Sequence, residues 1–391
     1  MKKSEKNIEN FYQAALFTFN TYQCYCAIDT INVGPDNYIN DFKIMHLSDK
    51  PIKFAFEPQK GLVRINTKNG AIEEDNILSS LISIKPDDIN SYKKFFEKNG
   101  FLFPIKPDSF EKIDDESLLN IIDRMRCTLE LISQISEVAK KDYKKIFALI
   151  LYLMFSKPIK IKIGELEYVT CSHNKIYDAL KIAADKPAKF NFKYDSEYMF
   201  EVKDSILKTY KMHMDLYRHK LGDEFESDFW NSVFHAYFNY QDAPKDVRLM
   251  IEFLYHIYFD MGQIVNFERD TLNFCYPSQV NWDYFNDDMK KASLEIAKII
   301  IGEEINSNLS GVYPEYDIKD MEPKWRVSSL LSALYFSLFY MRPNVEITRL
   351  CANPKCGRYF TVNRTSAKKK YCCPECANRA NQNNYRARHK K

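Results

Sequence analysis

Five of the ten cysteines in this chain fall between Cys351 and Cys376, and their spacing limits what that segment can become. Cys351 and Cys356 form a C-x4-C pair, Cys372 and Cys376 form a C-x3-C pair, and fifteen residues separate the two. Each short loop can fold two sulfurs onto one ion, so the four together can close a tetrahedral thiolate site with metal–sulfur distances of about 2.3 Å, the geometry of Zn2+. A closed set of four thiolates leaves no open coordination position, which makes the expected ion a single structural Zn2+ and not a catalytic one. Cys373 keeps an alternative open, because Cys373-Pro374-Glu375-Cys376 also reads as C-x2-C; Cys372 is the preferred third ligand. The other five, Cys24, Cys26, Cys127, Cys171 and Cys275, are scattered as reduced core cysteines are.

Charge divides the chain at the same place. The whole carries 56 Lys+Arg against 53 Asp+Glu, but residues 342–391 alone hold 13 and 2, which leaves 43 and 51 in the body. A basic tail on an acidic body points to a nucleic acid or another acidic partner for the tail. So short and polar a segment has little apolar surface to bury, so metal binding is expected to supply much of its folding free energy. Arg358, Arg364, Lys368, Lys369 and Lys370 lie between the knuckles, where a β-hairpin is expected with Tyr359 and Phe360 as its small core. The run after Cys376 lacks Gly and Pro and predicts a helix with Arg379, Gln382, Arg386 and His389 on one face; Asn383 and Arg388 on the same run are further candidate contacts. Arg, Asn and Gln are the side chains that pair bidentately with purine edges, and Lys and Arg neutralise phosphates.

The stretch from Leu350 to Arg388 resembles the CGNR-type zinc finger found at the C-terminus of bacterial proteins regarded as stress-response or transcriptional regulators. Cys351, Cys356, Phe360, Arg364, Tyr371, Cys372, Cys376, Asn378, Arg379, Tyr385, Arg386 and Arg388 follow the family pattern in order. The sequence departs at Ala377, where the name-giving motif has Gly, and at Cys373, often a Ser in the family. The resemblance implies a DNA-binding regulator and a treble-clef-like zinc ribbon. It covers about a tenth of the chain and gives no role to the body.

The rest reads as an α+β protein, a mainly helical body with short N-terminal strands followed by the zinc module. Apolar alternation predicts strands over Cys24–Val33, Lys43–Leu47, Ile52–Phe56 and Leu62–Asn66, and hairpins over Ile159–Val169 and Phe190–Val202. Three- and four-residue spacing predicts a helix from about Ser117 and a second over Tyr143–Phe155. Further helices are expected over 203–220, 224–240, 244–267, 287–306 and 324–340. The expected division is an α/β region over 1–115, a helical domain with short hairpins over 116–341, and the basic module over 345–391. The apolar runs Ile146–Phe155 and Ser328–Met341 are too short to span a bilayer, and the start has no signal-peptide core, so a cytoplasmic protein with no membrane partner is expected.

Enzyme signatures are thin. No nucleotide-cradling glycine loop or nucleophile elbow is present. Glu252 and His256 with His235, the isolated His213 and His219, and an Asp195…Glu201-x-Lys203 arrangement of the kind that holds Mg2+ in nucleases are the candidates, each better read as core or solvated surface. The sequence therefore points to a nucleic-acid-binding protein with DNA as the partner, RNA or a defence complex with nuclease capacity as the first alternative, and a protein-interaction module as the second. One finger reads few base pairs, so a homodimer, a protein complex or a second contact from the body is expected.

Overall fold

The computed structural model describes residues 15–34, 37–57, 61–65, 72–107, 109–137, 141–156, 158–171, 197–200, 207, 210–213, 244–257, 261, 267–269, 275–277, 281–318, 321–342, 346–353, 355–356, 358–366 and 368–389. In chain order these form β1 (Phe17–Gly34), β2 (Asn37–Glu57), β3 (Gly61–Ile65), β4 (Ile72–Asn76), α1 (Ile77–Ile82), α2 (Ile89–Asn99), β5 (Glu111–Asp114) and α3 (Asp115–Ser136). Next come α4 (Tyr143–Phe155), β6 (Lys160–Ile163), β7 (Leu166–Val169), β8 (Glu197–Phe200), β9 (Tyr210–His213), α5 (Lys245–His256), β10 (Phe267–Arg269), β11 (Cys275–Pro277) and α6 (Asp287–Ser307). The chain then forms β12 (Val312–Asp317), β13 (Glu322–Val327), α7 (Leu330–Phe339), β14 (Glu346–Leu350), β15 (Tyr359–Asn363) and α8 (Pro374–His389).

The fold is α+β, with every strand pairing among the described residues antiparallel. The chain divides into two compact units, one of Met1–Ala139, Pro158–Thr170 and Glu304–Lys391, the other of Lys140–Lys157 and Cys171–Glu303. The cysteine-rich segment thus belongs to the same unit as the N-terminal sheet.

In the first unit β2 is the spine, pairing β1 along its length, β3 at its C-terminal end and β5 toward its N-terminal end. Where apolar alternation predicts short strands, the structure has two of 18 and 21 residues. The pairing continues through polar positions such as Asp29↔Asp41 and Thr30↔Asn40, where backbone hydrogen bonding needs no buried side chain. Phe42, Ile44, Phe54 and Phe56 of β2 are buried, and Phe17, Phe56 and Phe336 meet with centroids 5.1–5.5 Å apart. Packing of an apolar strand face on helices supplies the main driving force here.

Helix α3 begins where Asp114 accepts the Ser117 N–H at 2.7 Å and Asp115 and Glu116 occupy the positive first turn. Fifteen of the 22 residues of α3 are buried, polar ones included. Arg126 ion-pairs with Asp123 and donates to the Ile82 and Ile84 carbonyls and the Tyr92 hydroxyl, and Arg124 pairs with Glu304. Buried charges persist when they are paired and hydrogen-bonded in this way. Helix α1, α2 and β5 are not expected from the sequence, since their apolar residues form runs too brief for a period to show.

The second unit forms around α4, whose residues Ile146–Leu153 are all buried, as a wholly apolar helix must be. Phe147 meets Phe253 of α5 and both Trp282 and Phe285 before α6, at centroid distances of 5.4–6.0 Å. Two expected helices are corrected by strands. Tyr210–His213 pairs with β8 inside the expected 203–220 helix, and the expected 244–267 helix is α-helical over Lys245–His256, with Phe267–Arg269 forming a strand.

In the first unit the expected 324–340 helix is shorter and a hairpin precedes it. Lys324–Val327 belongs to β13, paired with β12, and α7 starts at Leu330 because Ser329 accepts the Ser332 N–H at 3.1 Å. The expected 224–240 helix lies outside the described residues. No described helix is long and apolar enough to cross a membrane.

Candidate metal centre and basic face

The cysteine-rich segment is built on the hairpin β14–β15, which straddles the first knuckle. The sequence predicts a hairpin between the two knuckles; in the structure Leu350 pairs with Tyr359 across the Cys351–Cys356 loop, and Glu346–Leu350 supplies the first strand. This register buries Ile347 against Val362 and leaves Tyr359 and Phe360 half-buried.

The knuckle turns by local hydrogen bonds. Asn353, 2% exposed, gives its carbonyl to the Cys356 N–H at 2.9 Å and its side-chain oxygen to the Lys355 N–H at 3.2 Å. The Cys351 N–H donates to the Arg358 carbonyl at 2.9 Å, and the Ala352 N–H reaches the Lys370 carbonyl at 2.9 Å, tying the first knuckle to the approach to the second. The second pair sits at the head of α8, with Cys376 in its first turn.

The sulfurs of Cys351, Cys356, Cys372 and Cys376 all lie within 4.8 Å of one another. Cys356 to Cys372 and Cys372 to Cys376 are each 3.6 Å, close to the edge of about 3.8 Å that a tetrahedron of 2.3 Å metal–sulfur bonds requires. Cys373 lies 3.9 Å from Cys372 and is not one of the mutually close four. The four cysteines are therefore positioned to hold a metal ion.

Burial pushes the Cys372 thiol up, and its hydrogen bonds with the neighbouring thiols add to this. For Cys351 burial acts in the same direction, but hydrogen bonds from the Cys372 and Asn353 backbones prevail and hold it below the ordinary thiol value. Crowded thiols resist joint ionisation unless a cation sits among them, which is the electrostatic counterpart of the tetrahedral spacing.

The hairpin is seated on the body by polar contacts. Ser133 on α3 donates to the Thr348 carbonyl, and Tyr359 donates its hydroxyl to the buried Glu130 carboxylate. Arg349 pairs with Glu137 at 2.9 Å, and Ser79 on α1 donates to the Tyr359 carbonyl at 3.0 Å. Glu130, Ser133 and Glu137 are spaced three and four apart, one stripe at the end of α3 and its C-cap. Burial, with the Glu130 charge beside it, pushes the Tyr359 phenol well above its ordinary value. Beside this seat lies a cavity of about 440 Å³ whose wall includes Ser79, Leu129, Arg358 and Cys373. Nothing in the sequence marks this seat: Glu130 and Ser133 read only as polar interruptions of an apolar helix.

Of the basic residues singled out by sequence, Arg358, Lys368, Lys369 and Lys370 are exposed, with the Lys369 ammonium 5.8 Å from the centre of the Phe360 ring. Arg364 lies in a single 3-10 turn after β15. Helix α8 starts at Pro374, two residues before Cys376, and runs to His389. Cys376 and Ala380 are buried, while Arg379, Gln382, Asn383, Tyr385 and Arg386 are exposed, so the helix turns a polar, basic arc outward. Arg388 lies in its last turn.

The enzyme candidates fall mostly outside the described residues. Glu252 on α5 is buried and His256 half-buried, while Asp195, Glu201, Lys203, His219 and His235 lie outside the described residues. His213 lies in β9.

Residues 348–389 match the CGNR zinc finger family, which bears out the resemblance over Leu350–Arg388. No curated protein and no solved structure gives a significant match to the chain.

Proposed function

Starting from the CGNR zinc finger at residues 348–389, we propose that the chain is a DNA-binding transcriptional regulator whose finger holds one structural Zn2+ through Cys351, Cys356, Cys372 and Cys376. The observation that carries this reading is the geometry of α8. Its first turn is fixed at the four-sulfur cluster, and its outward arc bears Arg379, Gln382, Asn383 and Arg386. A helix of 16 residues is about 24 Å long, enough to lie in a major groove.

In this reading Arg379, Gln382, Asn383 and Arg386 meet base edges, and Arg358, Arg364, Lys368, Lys369, Lys370 and Arg388 meet phosphates. The metal supplies rigidity, not chemistry, because four thiolates fill its coordination shell. Specific recognition then calls for a second copy of the chain or a second contact, since one module reads only a few base pairs.

The test is selection of bound duplexes from a random DNA pool with the full-length, zinc-loaded protein, followed by affinity against salt. We expect an enriched motif and a steep fall of log affinity with log salt. Changing Lys368, Lys369 and Lys370 together to Ala should flatten that slope by up to about 0.9 for each phosphate no longer neutralised. Arg379→Ala should instead relax the preference at one base position, by about 1–3 kcal/mol. Salt-independent binding would remove the phosphate contacts, and RNA outcompeting every duplex would transfer the reading to RNA.

A further inference from the structure

The second unit holds a cleft that the finger does not use. It has a volume of about 610 Å³ and lies at the start of α4, lined by Lys141–Lys144, Trp282 and Phe285, and by Lys290 of α6. The indole of Trp282 is fixed by the edges of Phe147 and Phe285, at 5.4 and 5.7 Å and nearly perpendicular to both. The exposed Lys144 ammonium lies 4.9 Å from the Trp282 ring centre, and Lys290 sits 5.9 Å from that of Tyr143.

The charge of this wall runs against that of the body, where 51 acidic residues outnumber 43 basic ones over 1–341. Three lysines line the cleft against one carboxylate, Asp142. Asp142 is already engaged in capping α4, accepting the Lys145 N–H at 3.1 Å. Lys290 shares its charge with Asp287 at 2.8 Å, so an incoming anion competes with one exposed carboxylate there.

Rigid aromatic faces beside ammonium groups are complementary to a flat π-system joined to a phosphate. The volume lies in the range of small-ligand clefts. We propose that this cleft binds a phosphorylated nucleobase, the base against the Trp282 face and the phosphate among Lys141, Lys144 and Lys290. Lys144, which shields the indole, moves from the ring to the phosphate as the base takes its place. A free nucleotide and one unit of a single strand share this chemistry.

The experiment is a titration of the full-length protein, following tryptophan emission, with adenosine, adenosine monophosphate and a short single-stranded deoxyadenosine oligonucleotide. Saturable quenching by a phosphate-bearing probe is expected, lost in Trp282→Phe and weakened roughly tenfold or more in Lys144→Ala. Because Trp230 and Trp325 also emit, the Trp282→Phe comparison locates the signal. Should that variant fold poorly, the exposed Lys144→Ala carries the test through affinity alone.

Oligonucleotide binding far tighter than that of the monophosphate assigns the cleft to a single strand, and equal affinities assign it to a free nucleotide. The proposal is overturned by quenching that persists unchanged in Trp282→Phe, by adenosine binding as well as its phosphate, or by no saturation with any probe. With adenosine monophosphate the triple-lysine finger variant should titrate as the parent does, which separates this site from the DNA reading of the finger.

Discussion

The two halves of the finger are held by different physics. The hairpin half, β14–β15, has paired strands, the buried Ile347 and Val362, and polar contacts to α1, α3 and the C-cap of α3. The knuckle half, the Cys351–Cys356 loop together with residues 364–389, has Cys351, Asn353, Cys376 and Ala380 as its buried side chains among the described residues. We propose that the metal's contribution to folding falls on one half: the hairpin has its own contacts to the body, whereas α8 has the four-sulfur cluster at its head.

Removing a metal ligand should expose that difference most strongly. Cys356→Ser is expected to release the metal and strip hydrogen-exchange protection from α8, while the β14–β15 amides stay protected. Structural Zn2+ contributes about 10–16 kcal/mol in finger peptides, so little of the knuckle half should survive its loss. Metal content with exchange mass spectrometry measures both. Loss of protection across the hairpin as well would mean that the seat on α3 depends on the ion and the two halves are one.

The reverse experiment is smaller and acts from the body side. Tyr359→Phe removes the hydroxyl that reaches the buried Glu130, and about 1–3 kcal/mol of stability is expected to go with it, with metal content unchanged. The pH dependence gives the sign. A phenol whose folded-state value is raised keeps its full contribution below its ordinary value of about 10 and loses it as pH climbs from there toward the folded-state value. The stability difference between parent and Tyr359→Phe, measured by denaturant unfolding, should therefore be constant through neutral pH and shrink above about 10. A difference that grows with alkalinity would contradict the seat.

The same contrast explains what is legible in the sequence. Cysteine spacing is a local constraint, carried by residues five and four apart, so the metal cluster can be read directly from Cys351, Cys356, Cys372 and Cys376. Helices with a sustained period are equally plain, as Leu118, Ile122, Met125 and Leu129 on α3 and Ile146–Phe155 on α4 illustrate. The hairpin seat is not legible, because it joins residues separated by more than 200 positions, and Glu130 or Ser133 carries no mark of its partner. Strand extent escapes for a related reason: β1 and β2 remain paired where side-chain alternation has stopped. The hairpin β12–β13 merges into an expected helix because Trp325 and Val327 sit just before an apolar run, and Ser329 as a cap separates them.

The smallest effect is the most discriminating for the knuckle. Cys373 lies beside Cys372 in sequence and 3.9 Å from it in space, yet outside the mutually close four. Both C-x2-C and C-x3-C pairings are open to a chain that has Pro374 and Glu375 before Cys376. What separates them is the turn into α8: the Ala377 N–H donates to the Cys373 carbonyl at 3.2 Å, so Cys373 serves as backbone at the helix head while Cys372 directs its sulfur to the cluster. Cys373→Ser is accordingly expected to keep a full complement of metal and to change stability by less than about 0.5 kcal/mol. Cys372→Ser should behave as Cys356→Ser does. Metal content of the two serine variants, measured side by side, decides the pairing, and the opposite ranking would move the third ligand by one residue and rotate the start of α8 with it.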